Sequence, residues 1–157
     1  MRSPAGRLRE RSRELALSPI GDVDVLVGEL TGDRKVDVVQ LSATVVRVSR
    51  QTDDGFKLIF QASLSDGVAL AGGDVDGDGL MDLYLQRGGV GNKPDRLLIN
   101  TRNGRRWRSV RIPQAATGDA DDVLAIDQDR NGLTDFVVLN GLEKAGPVQL
   151  LAAFPDP

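Results

Sequence analysis

The chain contains no cysteine and no histidine. Without cysteine there is no disulfide framework and no thiolate metal site. Without histidine the usual zinc ligand, the Ser-His-Asp triad and the commonest general base are missing, which closes off most enzyme classes. Aromatic residues are 4% of the 157 positions, too few for the stacking platforms of single-stranded nucleic-acid binders. No apolar run is long enough to span a bilayer, and none follows the basic N-terminus to make a signal peptide. Nucleic acid and a membrane span are therefore not expected. What remains is ordinary for a soluble globular chain, with 40% hydrophobic residues, 27% charged residues and a net charge of −3.

What is present is a recurring acidic loop. From Gly72 the chain reads GGDVDGDGLMDLYLQ, with Asp74, Asp76, Asp78 and Asp82 at positions 1, 3, 5 and 9 and Gly79 at the bend. Carboxylates near 4 Å apart repel by roughly 4 kcal/mol per pair at an effective dielectric of 20, so such a loop is strained without a cation. A second copy, DQDRNGLTDFVVLNG, places Asp127, Asp129, Asn131 and Asp135 at the same positions with Gly132 at the bend. A weaker copy, ELTGDRKVDVVQLS, offers Glu29, Thr31, Asp33 and Asp37. There Arg34 replaces the bend glycine and Lys35, at position 7, puts a cation beside the site. The copies begin at Glu29, Asp74 and Asp127, intervals of 45 and 53 residues, and a period near fifty marks a repeat architecture.

Oxygen-only ligands with glycine at the bend suit calcium rather than zinc, copper or magnesium. The loop is not an EF-hand, because position 12 is Gln40, Leu85 and Val138 instead of a bidentate Glu. Short runs rich in valine, leucine and aromatics flank each loop (DVVQL, DLYLQ and DFVVLN follow them), which reads as strand, loop, strand.

This unit, together with Gly55-Phe56 and the Gly104 to Trp107 stretch, resembles the FG-GAP and VCBS repeats of integrin-α-type β-propellers, over about residues 13–154. The resemblance implies an all-β fold, a ring of four-stranded antiparallel blades with calcium held between the first two strands of a blade. Two sites are expected. In one, Asp74, Asp76 and Asp78 give side-chain oxygens, Leu80 its carbonyl, and Asp82 closes the cage; the other uses Asp127, Asp129, Asn131, the Leu133 carbonyl and Asp135. The third, at Glu29, Thr31, Asp33, Lys35 and Asp37, departs from the pattern.

Taken in order, residues 1–14 read as a basic, disordered lead-in and 15–20 as an orphan outer strand. Blade one then covers 21–64, blade two 65–116 and blade three 117–157, the last lacking its outer strand. Asn103-Gly104 is the favoured pair for a type I′ hairpin turn. Gly88 to Asn92 lacks the end of a phosphate loop and reads as a hairpin connection. Arg105, Arg106, Arg108 and Arg111 crowd a strand placed outermost, where charge blocks unwanted pairing. Three blades are few for a ring, so the chain is expected to be the end piece of a longer propeller, or to complete one ring with another copy.

Functionally this implies a non-catalytic calcium-binding module of an extracellular or cell-surface protein, serving adhesion, binding of a protein or carbohydrate ligand, or scaffolding. The alternative is the propeller portion of an extracellular carbohydrate-active enzyme. Apart from Asp119, Asp121 and Asp122, every clustered carboxylate already has a cage role, which disfavours the enzyme.

Overall fold

A computed structural model describes residues 20–88, 93–112, 120–141 and 146–154. The proposed lead-in at 1–14 lies outside the described residues, as do 15–19 of the orphan strand, 89–92 of the glycine-rich connection, and Asp119. Among the described residues there is no helix, and eleven strands form three antiparallel sheets of four, four and three strands. No sheet closes on itself.

The first sheet is β1 (Asp22–Gly28), β2 (Asp37–Ser42), β3 (Val45–Thr52) and β4 (Gly55–Ser63), paired in chain order. The second is β5 (Gly67–Gly73), β6 (Asp82–Arg87), β7 (Asp95–Asn100) and β8 (Trp107–Ile112), also in chain order. The third is β9 (Ala120–Ile126), β10 (Asp135–Asn140) and β11 (Val148–Leu151), with β10 in the middle. The outer edge of the third sheet is β11. The loop after β5 turns at Asp74, and the hairpin turn before β8 takes up Asn103 and Gly104. Those two residues have φ of 45° and 72°, and the Arg105 N–H bonds the Arg102 carbonyl at 2.9 Å, as a type I′ turn requires.

The sheets stack in chain order, β5 lying against β1 and β2, and β9 against β5 and β6. A strand of the middle sheet therefore buries both faces, and β6 is a nearly continuous apolar run for that reason. Its Leu83 and Leu85 face the first sheet, where they meet Val39, Leu41, Val46 and Val48. Its Tyr84 faces the third, packing on Phe136 with ring centroids 4.9 Å apart. Hydrogen bonds also cross between sheets. Leu70 N–H donates to Asp24 Oδ2 at 2.8 Å and Asn100 Nδ2 to the Leu30 carbonyl at 2.9 Å. Gln86 Nε2 donates to the Leu139 carbonyl at 2.8 Å, and Thr134 N–H to the Asp74 carbonyl at 2.7 Å. At Gly73 a Cβ would lie 2.3 Å from the Thr134 side chain, so glycine there sets how closely the second and third sheets approach.

On the outside, β8 is an edge strand and Arg108 and Arg111 on it are exposed, as are Arg105 and Arg106 in the turn before it. The same strand carries Trp107, which returns to the first sheet and meets Phe60 at 5.8 Å.

Candidate metal centres

The three acidic loops join strand one to strand two of each sheet, and they share one backbone. Positive φ recurs at positions 4 and 6: Gly32 and Arg34 (74° and 65°), Gly77 and Gly79 (78° and 82°), Arg130 and Gly132 (61° and 87°). Left-handed backbone is unfavourable for a residue with a Cβ, so glycine is the natural occupant and the two arginines are held there by their surroundings. Arg34, which breaks the pattern in the sequence, does not break it in space.

What holds them is a network of carboxylates accepting N–H groups of the loop. The position 1 acid caps the bend. Asp74 takes the Gly77 and Gly79 N–H groups at 2.7 and 2.8 Å, and Asp127 those of Asn131 and Gly132 at 3.1 Å each. Glu29 Oε1 takes Thr31, Gly32 and Asp33 at 2.9, 2.6 and 3.3 Å. The position 5 oxygen accepts the position 7 N–H: Lys35 to Asp33 at 2.9 Å, Leu80 to Asp78 at 2.8 Å, Leu133 to Asn131 at 2.7 Å.

The position 9 aspartate is fully buried in every loop and does two things at once. One oxygen accepts the position 2 N–H, from Leu30 to Asp37 and Val75 to Asp82 at 3.0 Å, and Gln128 to Asp135 at 2.9 Å. The other accepts an N–H from the end of strand three or just beyond it. Those donors are Gln51 at 2.9 Å, Asn100 at 2.7 Å and Ala153 at 2.8 Å. Each of these aspartates thus clips its loop to the third strand of its own sheet. Sequence reasoning assigned them only to a cage, because the clip depends on a register set elsewhere in the chain.

Each loop brings three carboxylates together, with one oxygen from each inside a 4.8 Å span: Glu29, Asp33 and Asp37; Asp74, Asp76 and Asp82; Asp127, Asp129 and Asp135. Asp78 is not in its group, its carboxylate being turned to the Leu80 N–H. The charge is poorly compensated in the second loop. Burial pushes the Asp82 carboxyl up to about 6 against the pull of the Asn100 and Val75 N–H groups, and the charges of Asp76 and Asp78 push the same way as burial.

The first loop is compensated by the protein itself. Arg50 Nε, reaching over from β3, donates to Asp33 Oδ2 at 2.8 Å. With the Lys35 N–H as the largest influence and Arg50 next, the Asp33 carboxyl is held below its ordinary value. The Lys35 ammonium turns away from the loop acids and pairs with Asp53 at 2.6 Å. Thr31 is buried, and its Oγ1 has no hydrogen-bond partner. No local pattern points to Arg50, which is seventeen residues from Asp33 along the chain.

A fourth buried acid lies away from the loops. Asp95 Oδ2 accepts the Tyr84 hydroxyl at 2.6 Å and Oδ1 the Arg87 N–H at 2.8 Å. Burial pushes its carboxyl up to about 6, and both hydrogen bonds oppose that. A groove of about 400 Å³ opens beside its partner Tyr84, lined also by Val75, Leu97, Ile112, Thr134 and Phe136.

The sequence matches no protein-family model and no curated protein.

Proposed function

We propose that this chain is a non-catalytic, calcium-stabilised segment of a β-propeller, working as a binding or scaffolding module outside the cell. The observation that carries the reading is the repetition of one loop geometry three times, each time gathering three carboxylates within 4.8 Å. The donor set fits the ion: every candidate ligand is a hard oxygen, and the buried Asp82 carries charge that its protein neighbours leave uncompensated. Three stacked antiparallel sheets, two of four strands and one of three, joined outer strand to inner strand support the propeller half of the reading.

Two ions per chain are proposed, at Asp74, Asp76 and Asp82 and at Asp127, Asp129 and Asp135. Asp78, Asn131 and the Leu80 and Leu133 carbonyls complete these sites only if the loops tighten on the ion. At the first loop the Arg50 guanidinium supplies the positive charge instead. Calcium would neutralise the acids and fix the loop that joins strands one and two. Modules of this affinity, about 10⁻⁴ to 10⁻³ M, fill where calcium is abundant, which supports an extracellular setting. No helix among the described residues is long and apolar enough to cross a membrane. The ligand class favoured is a protein or carbohydrate surface met by exposed loops.

Calcium titration followed by calorimetry tests the site assignment. Two ions per chain are expected, and a third should appear in Arg50→Gln. Binding that is absent at millimolar calcium, or unaffected by Asp76→Ala and Asp129→Ala together, overturns it.

A further inference from the structure

Charge is spread unevenly along this chain. Between Arg96 and Arg111 there are six arginines and no acid or lysine, in a protein whose net charge is −3. The hairpin of β7 and β8 places Arg96, Arg102, Arg105, Arg106, Arg108 and Arg111 at the outer edge of the second sheet. Five of them are exposed and Arg96 is half-buried. None forms an ion pair among the described residues, where the paired cations are Lys35, Arg50 and Lys93.

Register sets two of them against each other. Arg96 pairs directly with Arg111 across β7 and β8, and Leu85 of β6 pairs with Arg96. Leu85 packs toward the first sheet, so both arginines lie on that same face. Like charges directly opposite on a sheet are destabilising. Arg87, two residues beyond Leu85, feels the crowding. Burial lowers its pKa most, the charges of Arg96 and Arg111 lower it further, and Asp66 and Asp95 oppose them. Its guanidinium donates to the Ser65 carbonyl at 2.9 Å and the Pro94 carbonyl at 3.1 Å rather than to a carboxylate.

Arg108 lies on the opposite face of β8 from Arg111, since successive side chains alternate. As β8 is the last strand of its sheet, side chains from both faces reach around one edge. At the rise of an extended strand, Arg106 to Arg111 makes a row about 17 Å long.

Guarding an edge against stray pairing accounts for one or two such charges, not for this row. The last strand of the first sheet, β4, carries only Lys57, and β11 carries no charge. Every cation in the row is arginine, whose planar fork of donors matches the oxygens of a carboxylate or a tetrahedral oxyanion as an ammonium does not.

We infer that the β8 edge is a binding strip for an acidic polysaccharide, whose sulfate or carboxylate groups are taken up by Arg96, Arg105, Arg106, Arg108 and Arg111. The row fits a polymer better than a single anion because it is linear. Single-stranded nucleic acid fits it less well, because its binders supply aromatic platforms. Trp107, the one aromatic residue on the strip, already packs on Phe60 and donates its Nε1–H to the Gly104 carbonyl at 3.0 Å. The choice of a polysaccharide rests on the extracellular reading of the preceding subsection; the row of arginines does not.

The test is calorimetric binding of the 157-residue chain to dextran sulfate and polygalacturonate oligosaccharides, with neutral dextran and duplex DNA beside them, in calcium and again in EDTA. At least one acidic oligosaccharide should bind in both buffers, less tightly as salt rises, and neutral dextran should not bind. The tighter of the two names the anionic group. In EDTA, Arg106→Gln with Arg108→Gln should weaken binding about tenfold. Arg34→Gln with Arg130→Gln removes the same charge from exposed loop positions and should leave it unchanged. Arg111→Gln should weaken binding yet raise Tm, because it relieves Arg96. No binding at low salt, tighter binding of DNA than of either oligosaccharide, equal losses in the two double variants, undiminished binding by Arg111→Gln, or binding that vanishes in EDTA overturns the proposal. The decisive comparison is made without calcium, so a failure here is distinct from a failure of the metal reading.

Discussion

Asp76→Ala is the substitution whose effect should change sign with the solution. Asp76 is exposed, and the hydrogen bond it makes, to the Asp78 N–H, is long at 3.4 Å. Its loss should cost no more than about 0.5 kcal/mol. What Asp76 does contribute without an ion is repulsion, since one of its oxygens lies within 4.8 Å of Asp74 and Asp82. At that separation two unit charges repel by about 0.9 kcal/mol in a water-like medium and about 3.5 kcal/mol at a dielectric of 20, and exposure favours the lower figure. In chelator the variant should therefore be more stable than the parent by about 1 kcal/mol. With calcium at about 100 times the dissociation constant, a filled site contributes roughly 2.7 kcal/mol, and a variant that has lost a ligand forfeits most of it. The parent should then be the more stable by about 1 to 2 kcal/mol. Urea unfolding of both proteins in EDTA and in calcium measures the two differences directly. A difference of one sign in both buffers refutes the assignment of Asp76 to an ion site, whichever sign it has.

The buried acid and the strained loop position give two more tests. Asp95, with a folded pKa of about 6 against 3.8 for the free group, holds its proton more tightly in the folded state. The parent should thus lose stability relative to Asp95→Asn as pH rises from about 4 to about 6, by up to about 3 kcal/mol, and change no further above that. A gap that stays constant across this window in urea titrations removes the claim. Arg130 has φ of 61° where the second loop has Gly77. Arg130→Gly should stabilise by about 0.5 to 1 kcal/mol, or about 2 to 4 °C in Tm, and a lower Tm would show that the arginine side chain contributes more than its backbone costs.

The positions of the strands were legible because the acidic loops punctuate the chain on either side of short apolar runs, and the register of a hairpin follows from its turn. Asn103-Gly104 is the clearest case. The stacking of the sheets was less legible: alternation shows that Leu83 and Tyr84 point to opposite faces, but not which neighbour each meets. Arg34 departs from the glycine pattern in sequence, yet the carboxylate hydrogen bonds made by Glu29, Asp33 and Asp37 give the first loop the same backbone as the other two. Arg50 and the strand-three donors Gln51, Asn100 and Ala153 lie far from the loops in sequence, so no local pattern announces them. Asp95 did leave a trace, as an acid opening a strand that pairs beside Tyr84, but only the coordinates turn that trace into a hydrogen bond.

The hydrogen bond from Thr134 to the Asp74 carbonyl ties the last turn of the third loop to the first residue of the second. On the calcium reading proposed above, an ion that orders one of these loops therefore fixes the starting point of its neighbour, so the occupancies of the two sites should be coupled.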